Sequence, residues 1–466
     1  MGLFREYDLR GIYGQELTES IAEQVGRAYC TYVKNRGVRR ISVGRDGRLS
    51  SPELYKALVR GLLTGGLDVM DIGICPSPLV YFSLFQLPVD GGIMITGSHN
   101  AAEYNGFKIC IGKDAIHGEE IQALRAVMET GAFVSGTGKL SEHPIIPDYL
   151  AYIKKNFAHV DAKRLHIVID CGNGVAALVA KQALELLGCT VTGLYCDLDG
   201  RFPNHHPDPT VLENLEDLTA AVKEHKADAG IGYDGDADRI GTIDEQGNVL
   251  WGDRLLVIYA RDILAANPGG TIISEVKSSQ SLYDDIAKRG GRPIMWKTGH
   301  SLIKTKMKSE QAVLAGEMSG HMFFADRYFG YDDAIYASCR LVEILAKTTR
   351  PLSSLVADLP KTTVTPEIRV DVPDLIKFEL ARHVQDRLAD CAKTREELGP
   401  AKLVIRDLVT IDGVRATFDD GWGLIRASNT QPALVLRFEA TSPERLATIR
   451  GIIEAELSMA EQALGY

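Results

Sequence analysis

The sequence predicts an α/β protein built from several domains, of which the last is a smaller α+β unit. The chain has 466 residues, more than a single hydrophobic core organises, so two to four domains are expected. Apolar, β-rich runs alternate with amphipathic helical stretches over the first three-quarters of the chain, which indicates mixed or parallel sheets covered by helices. After about Lys361 the strands follow one another directly, which indicates a separate domain.

The α/β part shows the same local pattern three times. Residues 51–61 form an amphipathic helical pattern with Pro52 at the second position, where proline suits a helix. Two later strands each run into a short polar loop and then a helix, which indicates further α/β layers. The strands predicted in this part cover residues 41–44, 68–74, 92–95, 166–170 and 271–276.

The C-terminal part has a different order. An extended segment over residues 363–371 precedes a helix over 375–390, and a second helix over 442–457 closes the chain. The strands predicted between these helices cover residues 403–411, 414–418, 422–427 and 433–440. We therefore expect boundaries near residues 146, 248 and 364, giving domains over 1–146, 147–248, 249–363 and 364–466.

The composition is ordinary for a soluble globular protein, with 45% hydrophobic and 24% charged residues. No run approaches the roughly 18 apolar residues of a membrane span. The N-terminus has no basic head followed by an apolar stretch, so a cytoplasmic location is expected. The net charge of −10 disfavours nucleic acid and anionic membrane as partners. The eight cysteines form no C-x-x-C pair and are predicted to be small buried hydrophobes.

One polar loop follows the predicted strand over 92–95 and contains Thr96, Gly97, Ser98, His99 and Asn100. A serine on a tight Gly-containing turn can act as a nucleophile when a base or a metal activates it. A serine–histidine pair alone more often marks a polar turn. The loop is not a G-x-S-x-G elbow, because asparagine stands where that motif needs glycine.

A second loop carries three alternate aspartates, Asp234, Asp236 and Asp238. Their hard carboxylate oxygens can converge on one cation and leave coordination sites open, which suits Mg²⁺ holding a phosphate. An EF-hand is excluded because Arg239 stands at loop position 6, where that motif requires glycine, and because strands flank the loop. The alternative is a hairpin turn rich in Asp and Gly.

Two further loops offer groups for a sugar and for a phosphate. Residues 316–321 hold a glutamate, a serine and a histidine that could bind hydroxyls. Residues 426–432 offer one cation with hydroxyl and amide donors, which suit a phosphate dianion. Each loop alone could also be an ordinary polar connection. Basic residues recur beside these loops: Arg10, Lys108, Arg239, Lys277, Lys297, Arg426 and Arg437.

Together the four loops resemble those of the α-D-phosphohexomutase superfamily, in its phosphomannomutase/phosphoglucomutase branch. Residues 96–108 are similar to the phosphoserine loop, 234–239 to the D-G-D-x-D-R metal loop, 317–321 to the E-x-S-G-H sugar loop and 426–430 to the R-x-S-N-T phosphate loop. Residues 7–11 and 297–301 match as well. One departure is Ala101, which stands where the family usually has proline, so the serine loop is expected to be less rigid.

The resemblance implies a four-domain, heart-shaped fold with three related α/β domains and a smaller α+β domain that closes on the substrate phosphate. It implies a mutase that interconverts hexose 1-phosphate and hexose 6-phosphate through a phosphoserine, with hexose 1,6-bisphosphate as intermediate and activator. The implied catalytic residues are Ser98, Lys108, His300, Arg10 and Arg239. One Mg²⁺ per chain would be held by phosphorylated Ser98, Asp234, Asp236 and Asp238. The implied substrate-binding residues are Tyr7, Arg239, Lys277, His300, Glu317, Ser319, His321, Arg426, Ser428, Asn429 and Thr430.

Other functions stay open from the sequence. A phosphoglucosamine mutase often has glutamine where this chain has Met318, which favours mannose or glucose. A phosphatase would share the serine and the metal but release phosphate to water. A silent sugar-phosphate-binding protein is the alternative without catalysis, although such a protein usually loses part of this residue set. The expected partner is a small phosphosugar, with the chain a monomer or a weak homo-oligomer.

Overall fold

Four β-sheets follow one another along the chain in the described residues. Each sheet and the helices that pack on it form one unit, called a layer below and numbered in chain order. The structure is a computed structural model, and it describes residues 2–429 and 431–466. The first three sheets are mixed and the fourth is antiparallel. The predicted fold class, three α/β units followed by an α+β unit, is therefore confirmed.

The first sheet has the order β1-β5-β4-β2-β3-β7, with β6 paired to β5. Its central strands β4, β2 and β3 are parallel, whereas β5 runs antiparallel to β4 and β1. The elements are β1 Leu9–Ile12, α1 Glu19–Val33, β2 Arg40–Arg45, α2 Ser51–Thr64, β3 Asp68–Ile74, α3 Ser77–Gln86, β4 Gly91–Ile95, β5 Tyr104–Ile111, β6 Asp114–Ala115, α4 Glu119–Thr130 and β7 Leu140–Glu142. Helix α2 starts as predicted, with proline in its first turn.

The second sheet has the order β12-β11-β10-β8-β9, with β9, β8 and β10 parallel. Strand β11 returns antiparallel beside β10. The elements are α5 Ile146–Asn156, β8 His166–Asp170, a 3-10 turn Val175–Leu178, α6 Ala180–Glu185, β9 Thr190–Leu194, a 3-10 turn Leu212–Leu215, α7 Glu216–His225, β10 Ala229–Tyr233, β11 Ile240–Asp244 and β12 Val249–Leu250. Strand β12 pairs with β11, so this sheet extends two residues past the boundary expected at residue 248. The expected domain boundaries stay predictions.

The third sheet repeats the design on a smaller scale. Strands β14, β13 and β15 are parallel, and β16 returns antiparallel beside β15. The elements are α8 Gly252–Ala266, β13 Thr271–Glu275, α9 Gln280–Lys288, β14 Arg292–Trp296, α10 His300–Glu310, β15 Leu314–Gly316, β16 Met322–Phe324, α11 Ala334–Ala346 and a 3-10 turn Leu352–Leu355.

The fourth sheet has the order β17-β22-β21-β20-β19, with β18 also paired to β22, and two long helices cover it. The elements are β17 Thr363–Val364, β18 Ile368–Asp371, α12 Lys377–Thr394, β19 Asp407–Val409, β20 Val414–Phe418, β21 Gly421–Ala427, β22 Ala433–Ala440 and α13 Pro443–Leu464. The predicted strand over 403–411 is too long, because only residues 407–409 pair with β20. Helix α13 begins at a serine cap, where Ser442 accepts from the backbone N–H of Arg445.

Apolar packing joins the layers. One buried cluster runs from α3 of the first layer through α5 and α6 to α8 and α11 of the third. Aromatic rings make part of this contact, including Phe82 against Tyr149 at 5.3 Å and Tyr152 against Tyr328 at 5.7 Å. The fourth layer has its own core and contacts the third through Trp422. No helix of the described residues has the length and apolarity needed to cross a membrane.

The cysteines behave as small buried side chains. All eight carry free thiols, and only Cys196 is partly exposed. This agrees with the prediction made from their scattered spacing.

Candidate active site

Each of the four predicted loops joins two antiparallel neighbours of its own sheet. The serine loop connects β4 to β5, and the aspartate loop connects β10 to β11. The sugar-type loop connects β15 to β16, and the phosphate-type loop connects β21 to β22. In all four layers, therefore, the polar candidate residues lie in the loop between two antiparallel strands.

Ser98 lies in the serine loop with an unusual backbone conformation. Its φ of 50° is in the left-handed region, which is costly for a residue other than glycine. Its hydroxyl lies 3.1 Å from Asp234 Oδ2 and 3.2 Å from His99 Nδ1. The side chain is buried, although Ser98 and Asp234 are 136 residues apart. The fold thus brings the predicted nucleophile to the aspartate loop.

The three aspartates converge and are almost completely buried. Asp234, Asp236 and Asp238 offer one oxygen each within 4.8 Å of one another. Burial, together with repulsion from the other two carboxylates, raises the pKa of Asp234 well above its usual value. Asp236 Oδ1 has no hydrogen-bond partner among the described residues, and Asp238 Oδ1 has an ion-pair contact with His321 Nε2 at 3.2 Å. Three converging, hard carboxylates suit a divalent cation such as Mg²⁺, so the residues fit the group.

Lys108 supplies the positive charge nearest to this cluster. It reaches from β5, and its ammonium donates to Asp236 Oδ2 at 2.6 Å and to Asp238 Oδ2 at 2.5 Å. Burial disfavours the charged form, but the two carboxylates outweigh it and raise the pKa of Lys108. Lys108 is therefore held as an ammonium in this arrangement.

The sugar-type loop contacts the aspartate loop directly. His321 lies 3.2 Å from Asp238 Oδ1 through Nε2 and 2.7 Å from Glu317 Oε2 through Nδ1. Ser319 Oγ lies 3.2 Å from the same Nδ1. Burial lowers the pKa of His321, but the two carboxylates outweigh it and raise it to about 9. Glu317 also accepts from the backbone N–H of Gly299 at 2.7 Å.

His300 has the opposite electrostatic environment. Its ring centroid is 5.6 Å from that of His321, at the start of α10. Burial, followed by the positive charge of Lys304, lowers the pKa of His300 well below its usual value. Its Nδ1 has no hydrogen-bond partner among the described residues and lies 3.6 Å from Asp332 Oδ2. A neutral imidazole and a charged one therefore stand side by side.

The phosphate-type loop is held against the first and third layers. Arg426 Nε donates to Asp412 Oδ2 at 2.9 Å, and the same oxygen accepts from the backbone of Thr298. Asn429 Nδ2 donates to the Tyr7 hydroxyl at 2.7 Å, which in turn donates to the Thr298 carbonyl at 2.8 Å. Ser428 Oγ accepts from the backbone N–H of residue 431. The predicted Thr430 lies outside the described residues.

Three basic residues complete the predicted set. Arg10 donates to Asn100 Oδ1 in the serine loop and pairs with Asp8. Arg239 Nε lies 3.3 Å from His321 Nε2, between the second and third layers. Lys277 donates to Glu367 Oε2 at 2.9 Å, at the junction of the third and fourth layers. Lys277 therefore joins the third layer to the fourth, whereas Arg426 belongs to the fourth layer itself.

Several residues of the site stand in no recognisable sequence motif. Ser77, at the start of α3, donates to Asp236, and Glu275 accepts from the backbone N–H groups of Lys277 and Met318. The guanidinium of Arg48 donates hydrogen bonds to backbone carbonyls of the serine loop. Arg48 comes just after the predicted strand over 41–44, and this position near a strand end was the signal that the sequence offered for it.

Comparisons with known proteins agree with this arrangement. Four models of the phosphoglucomutase/phosphomannomutase family match in order: alpha/beta/alpha domain I at residues 1–135, domain II at 147–247, domain III at 251–363 and the C-terminal domain at 367–456. The chain is 45% identical over 462 residues to the phosphomannomutase/phosphoglucomutase of Pseudomonas aeruginosa, covering 99% of this chain and 96% of that protein. It is 43% identical over 456 residues to a phosphoglucomutase of Neisseria gonorrhoeae, covering 97% and 96%.

A solved structure gives the same result. The crystal structure of a phosphoglucomutase/phosphomannomutase family protein from Burkholderia thailandensis superposes with a TM-score of 0.90 at 40% identity, covering 98% of this chain and 97% of that one. All four layers, and all four loops that join antiparallel strands, are thus accounted for by one family. The chain belongs to the phosphoglucomutase/phosphomannomutase family.

Proposed function

We propose that this protein is a phosphohexomutase, an enzyme that reversibly converts hexose 1-phosphate into hexose 6-phosphate, with mannose and/or glucose as the sugar. The observation that carries the proposal is the Ser98 hydroxyl, held 3.1 Å from a carboxylate of the buried aspartate cluster. A serine in this position can carry a phosphoryl group while the opposite face of the site holds the sugar. The full-length similarity to the Pseudomonas and Neisseria mutases supports the same reaction.

Ser98 would rest as a phosphoserine and donate its phosphoryl group to the free hydroxyl of the bound sugar phosphate. The product of that step is a hexose 1,6-bisphosphate, which also serves as activator. The bisphosphate must reorient by about half a turn within the site, because one serine has to reach both ends of the sugar. Ser98 then accepts the phosphoryl group from the other end and releases the isomerised monophosphate.

Charge stabilisation is the main requirement of phosphoryl transfer. Asp234, Asp236 and Asp238, with an oxygen of the Ser98 phosphate, would hold one Mg²⁺, which neutralises charge on the transferring group. Lys108 and Arg239 would add positive charge from the protein, and Arg10 would orient the serine loop through Asn100.

Proton transfer at the sugar hydroxyl needs a group that can both take and return a proton. His300 is the candidate for this role, because it is neutral and its Nδ1 has no partner among the described residues. Lys108 is the second candidate, as a donor to the leaving oxygen. His321, anchored on two carboxylates, would contact the sugar.

The remaining loops would bind the two ends of the sugar phosphate. Glu317 and Ser319 would hold the ring hydroxyls O3 and O4, which nearly interchange when the bisphosphate turns. The non-reacting phosphate would lie against the fourth layer. Its proposed ligands are Tyr7, Lys277, Arg426, Ser428, Asn429 and Thr430.

One coupled assay tests the proposal. Wild-type protein is supplied with Mg²⁺, glucose 1,6-bisphosphate and either mannose 1-phosphate, glucose 1-phosphate or glucosamine 1-phosphate, and the 6-phosphate is measured. We expect turnover with mannose and/or glucose and its loss in Ser98→Ala, whose intact mass should lack the added phosphoryl group. Preferred turnover of glucosamine 1-phosphate would indicate a phosphoglucosamine mutase. Release of inorganic phosphate without isomerisation would indicate a phosphatase and contradict the proposal.

A further inference from the structure

A buried arginine behind the serine loop uses its whole guanidinium to hold that loop. Arg48 Nη2 donates to the carbonyls of Ser98 and Asn100, both at 2.7 Å. Its Nη1 donates to the carbonyls of Ala101 at 2.5 Å and Tyr104 at 3.0 Å. Three of these acceptors lie in the segment between β4 and β5, and the fourth, Tyr104, is the first residue of β5.

The fifth donor fixes the guanidinium to its own strand end. Arg48 Nε donates to Asp46 Oδ2 at 3.1 Å, and the same oxygen accepts from the backbone N–H of Gly97 at 3.3 Å. All five guanidinium N–H groups therefore have a partner. The side chain has no exposed surface. An arginine so buried would be costly unless every donor were satisfied, as it is here.

The arginine side chain matches this position better than lysine would. Four carbonyls are reached by one flat, rigid fork, whereas a lysine ammonium has three donors that leave from one atom. The fork lies against the Cα of Gly97, where a Cβ atom would come within 2.6 Å of Arg48 Cζ. The glycine of the serine loop thus makes room for the guanidinium.

The carbonyl of Ser98 also connects this contact to the aspartate loop. A Cβ atom at Gly235 would lie 2.5 Å from the Ser98 oxygen, so the two loops touch at the atom that Arg48 holds. Ser98 keeps its left-handed backbone at this point of contact. Movement of the Ser98 carbonyl would therefore shift the hydroxyl relative to Asp234.

We propose that Arg48 is a positioning residue for phosphoryl transfer, which sets the direction of the Ser98 hydroxyl by holding the loop carbonyls. This inference rests on the proposed mutase function and deepens it. Arg48 touches neither sugar nor phosphate, since its donors all point at backbone or at Asp46.

Weakening the hydrogen bonds from Arg48 to the serine loop should affect the chemical step more than substrate binding. The sugar and the far phosphate are proposed to be held by other layers, whereas only the serine loop sets the angle of attack. A small misplacement of the nucleophile can cost about 100-fold in rate. A mobile loop also admits water to the phosphoserine, which shortens its lifetime.

The test compares Arg48→Lys with Arg340→Lys. Arg340 is equally buried, and its guanidinium bonds the carbonyl and carboxylate of Asp326 in the third layer, away from Ser98. For each protein kcat and KM for glucose 1-phosphate, the melting temperature and the half-life of phosphorylated Ser98 by intact mass are measured. We expect Arg48→Lys to lower kcat about 100-fold at unchanged KM and to shorten the phosphoserine half-life. Arg340→Lys should lower only the melting temperature.

The outcomes separate this inference from the proposed function. If wild type isomerises and Arg48→Lys matches it, or only melts lower as Arg340→Lys does, the positioning role is wrong and the mutase function stands. If wild type does not isomerise, both fall. Should Arg48→Lys not fold, Phe202→Ala replaces it, because that ring lies 5.0 Å from Arg48 Cζ at the edge of the clamp. It should lower kcat about threefold, in line with a weak cation–π contact, with a shorter phosphoserine half-life, and unchanged values of both would overturn the role.

Discussion

Asp236 has one buried carboxylate oxygen, Oδ1, for which the described part of the chain offers no hydrogen-bond partner. Replacing Asp236 with Asn removes a charged oxygen ligand and one of the two anchors of Lys108. We expect Mg²⁺ affinity to fall at least tenfold, because the ion would lose one charged oxygen ligand. Calorimetric titration of the protein with Mg²⁺ measures this directly.

The matched control is Asp244→Asn at the far end of β11. Asp244 is also buried, but its carboxylate accepts from the backbone N–H groups of Gln246 and Asn248 in the next turn. Its replacement should leave Mg²⁺ affinity unchanged. Equal Mg²⁺ affinity in Asp236→Asn and wild type would remove Asp236 from the metal site.

Glu343 on α11 predicts a pH dependence of stability outside the active site. Burial raises its pKa, but hydrogen bonds from Arg327 and His159 outweigh burial and lower it to about 2. Because the folded-state pKa lies below the ordinary value of 4.5, folding favours the ionised form. This stabilisation is complete above pH 4.5 and is lost as the pH falls toward 2.

We therefore expect Glu343→Gln to lower the free energy of unfolding by about 2 kcal/mol at neutral pH and to flatten the acid limb of the stability curve. The control is Glu454→Gln, which removes the exposed glutamate of an i,i+4 ion pair on α13. This substitution should change the free energy of unfolding little. Melting temperatures between pH 3 and pH 7 measure both. An acid limb as steep in Glu343→Gln as in wild type would show that another group controls it.

Residue types in the site were predictable, but their partners were not. Ser98 and the three aspartates stand in short, ordered motifs, so the sequence could place them in one site. Asp412, Glu275 and Glu367 are single carboxylates in ordinary stretches. Asp412 and Glu367 matter because folding brings them against Arg426 and Lys277, and no local pattern encodes those distances. Glu275 is only two residues from Lys277, but its hydrogen bond from the backbone N–H of Met318 depends on the fold.

At the scale of elements, the loop between β15 and β16 depends on one glycine. Gly320 has φ +91°, and a Cβ atom there would lie 2.4 Å from the carbonyl of Ile240. The Gly320 carbonyl also accepts from the Ile240 N–H, which ties the sugar-type loop to β11. Gly320→Ala should therefore separate the two loops and lower stability by about 2 kcal/mol, with a loss of turnover.

Gly330→Ala serves as the control for this substitution. Gly330 also has a positive φ, of 82°, but a Cβ atom there would approach only Ala325, at 3.6 Å. Alanine at position 330 would therefore have backbone strain similar to alanine at position 320 but no steric clash. Melting temperature and kcat of the two variants should therefore diverge, and similar losses in both would attribute the effect at Gly320 to backbone strain alone.

Element prediction from sequence succeeded where pairing and burial coincide. The bounds of β20 and β22 match the predicted strands over 414–418 and 433–440. The strand over 403–411 was too long, because Leu403 and Ile405 are buried in the core of the fourth layer without pairing to β20. Alternating apolar residues report burial on one face, and they do not distinguish a paired strand from an extended segment.

At the scale of the whole molecule, one tyrosine hydroxyl connects three layers. Tyr7, from the first layer, donates to the Thr298 carbonyl of the third and accepts from Asn429 of the fourth. Tyr7→Phe removes both bonds but keeps the ring, which packs against His300 at 5.7 Å. Each lost hydrogen bond is worth about 1 kcal/mol, so the fourth layer should open more often.

Limited proteolysis of the segment between α11 and β17, which leads into the fourth layer, measures this opening. We expect Tyr7→Phe to be cut several-fold faster there than wild type, because cleavage follows the population of the open form. Tyr259→Phe is the control: its hydroxyl donates to the Ala337 carbonyl within the third layer, so its loss costs a similar hydrogen bond without joining layers. Saturating glucose 1,6-bisphosphate should slow cleavage of wild type and of both variants, since a ligand that bridges the layers favours the closed form. Equal cleavage of Tyr7→Phe and Tyr259→Phe would mean that the fourth layer is held by its remaining contacts, chiefly Arg426 with Asp412 and Lys277 with Glu367.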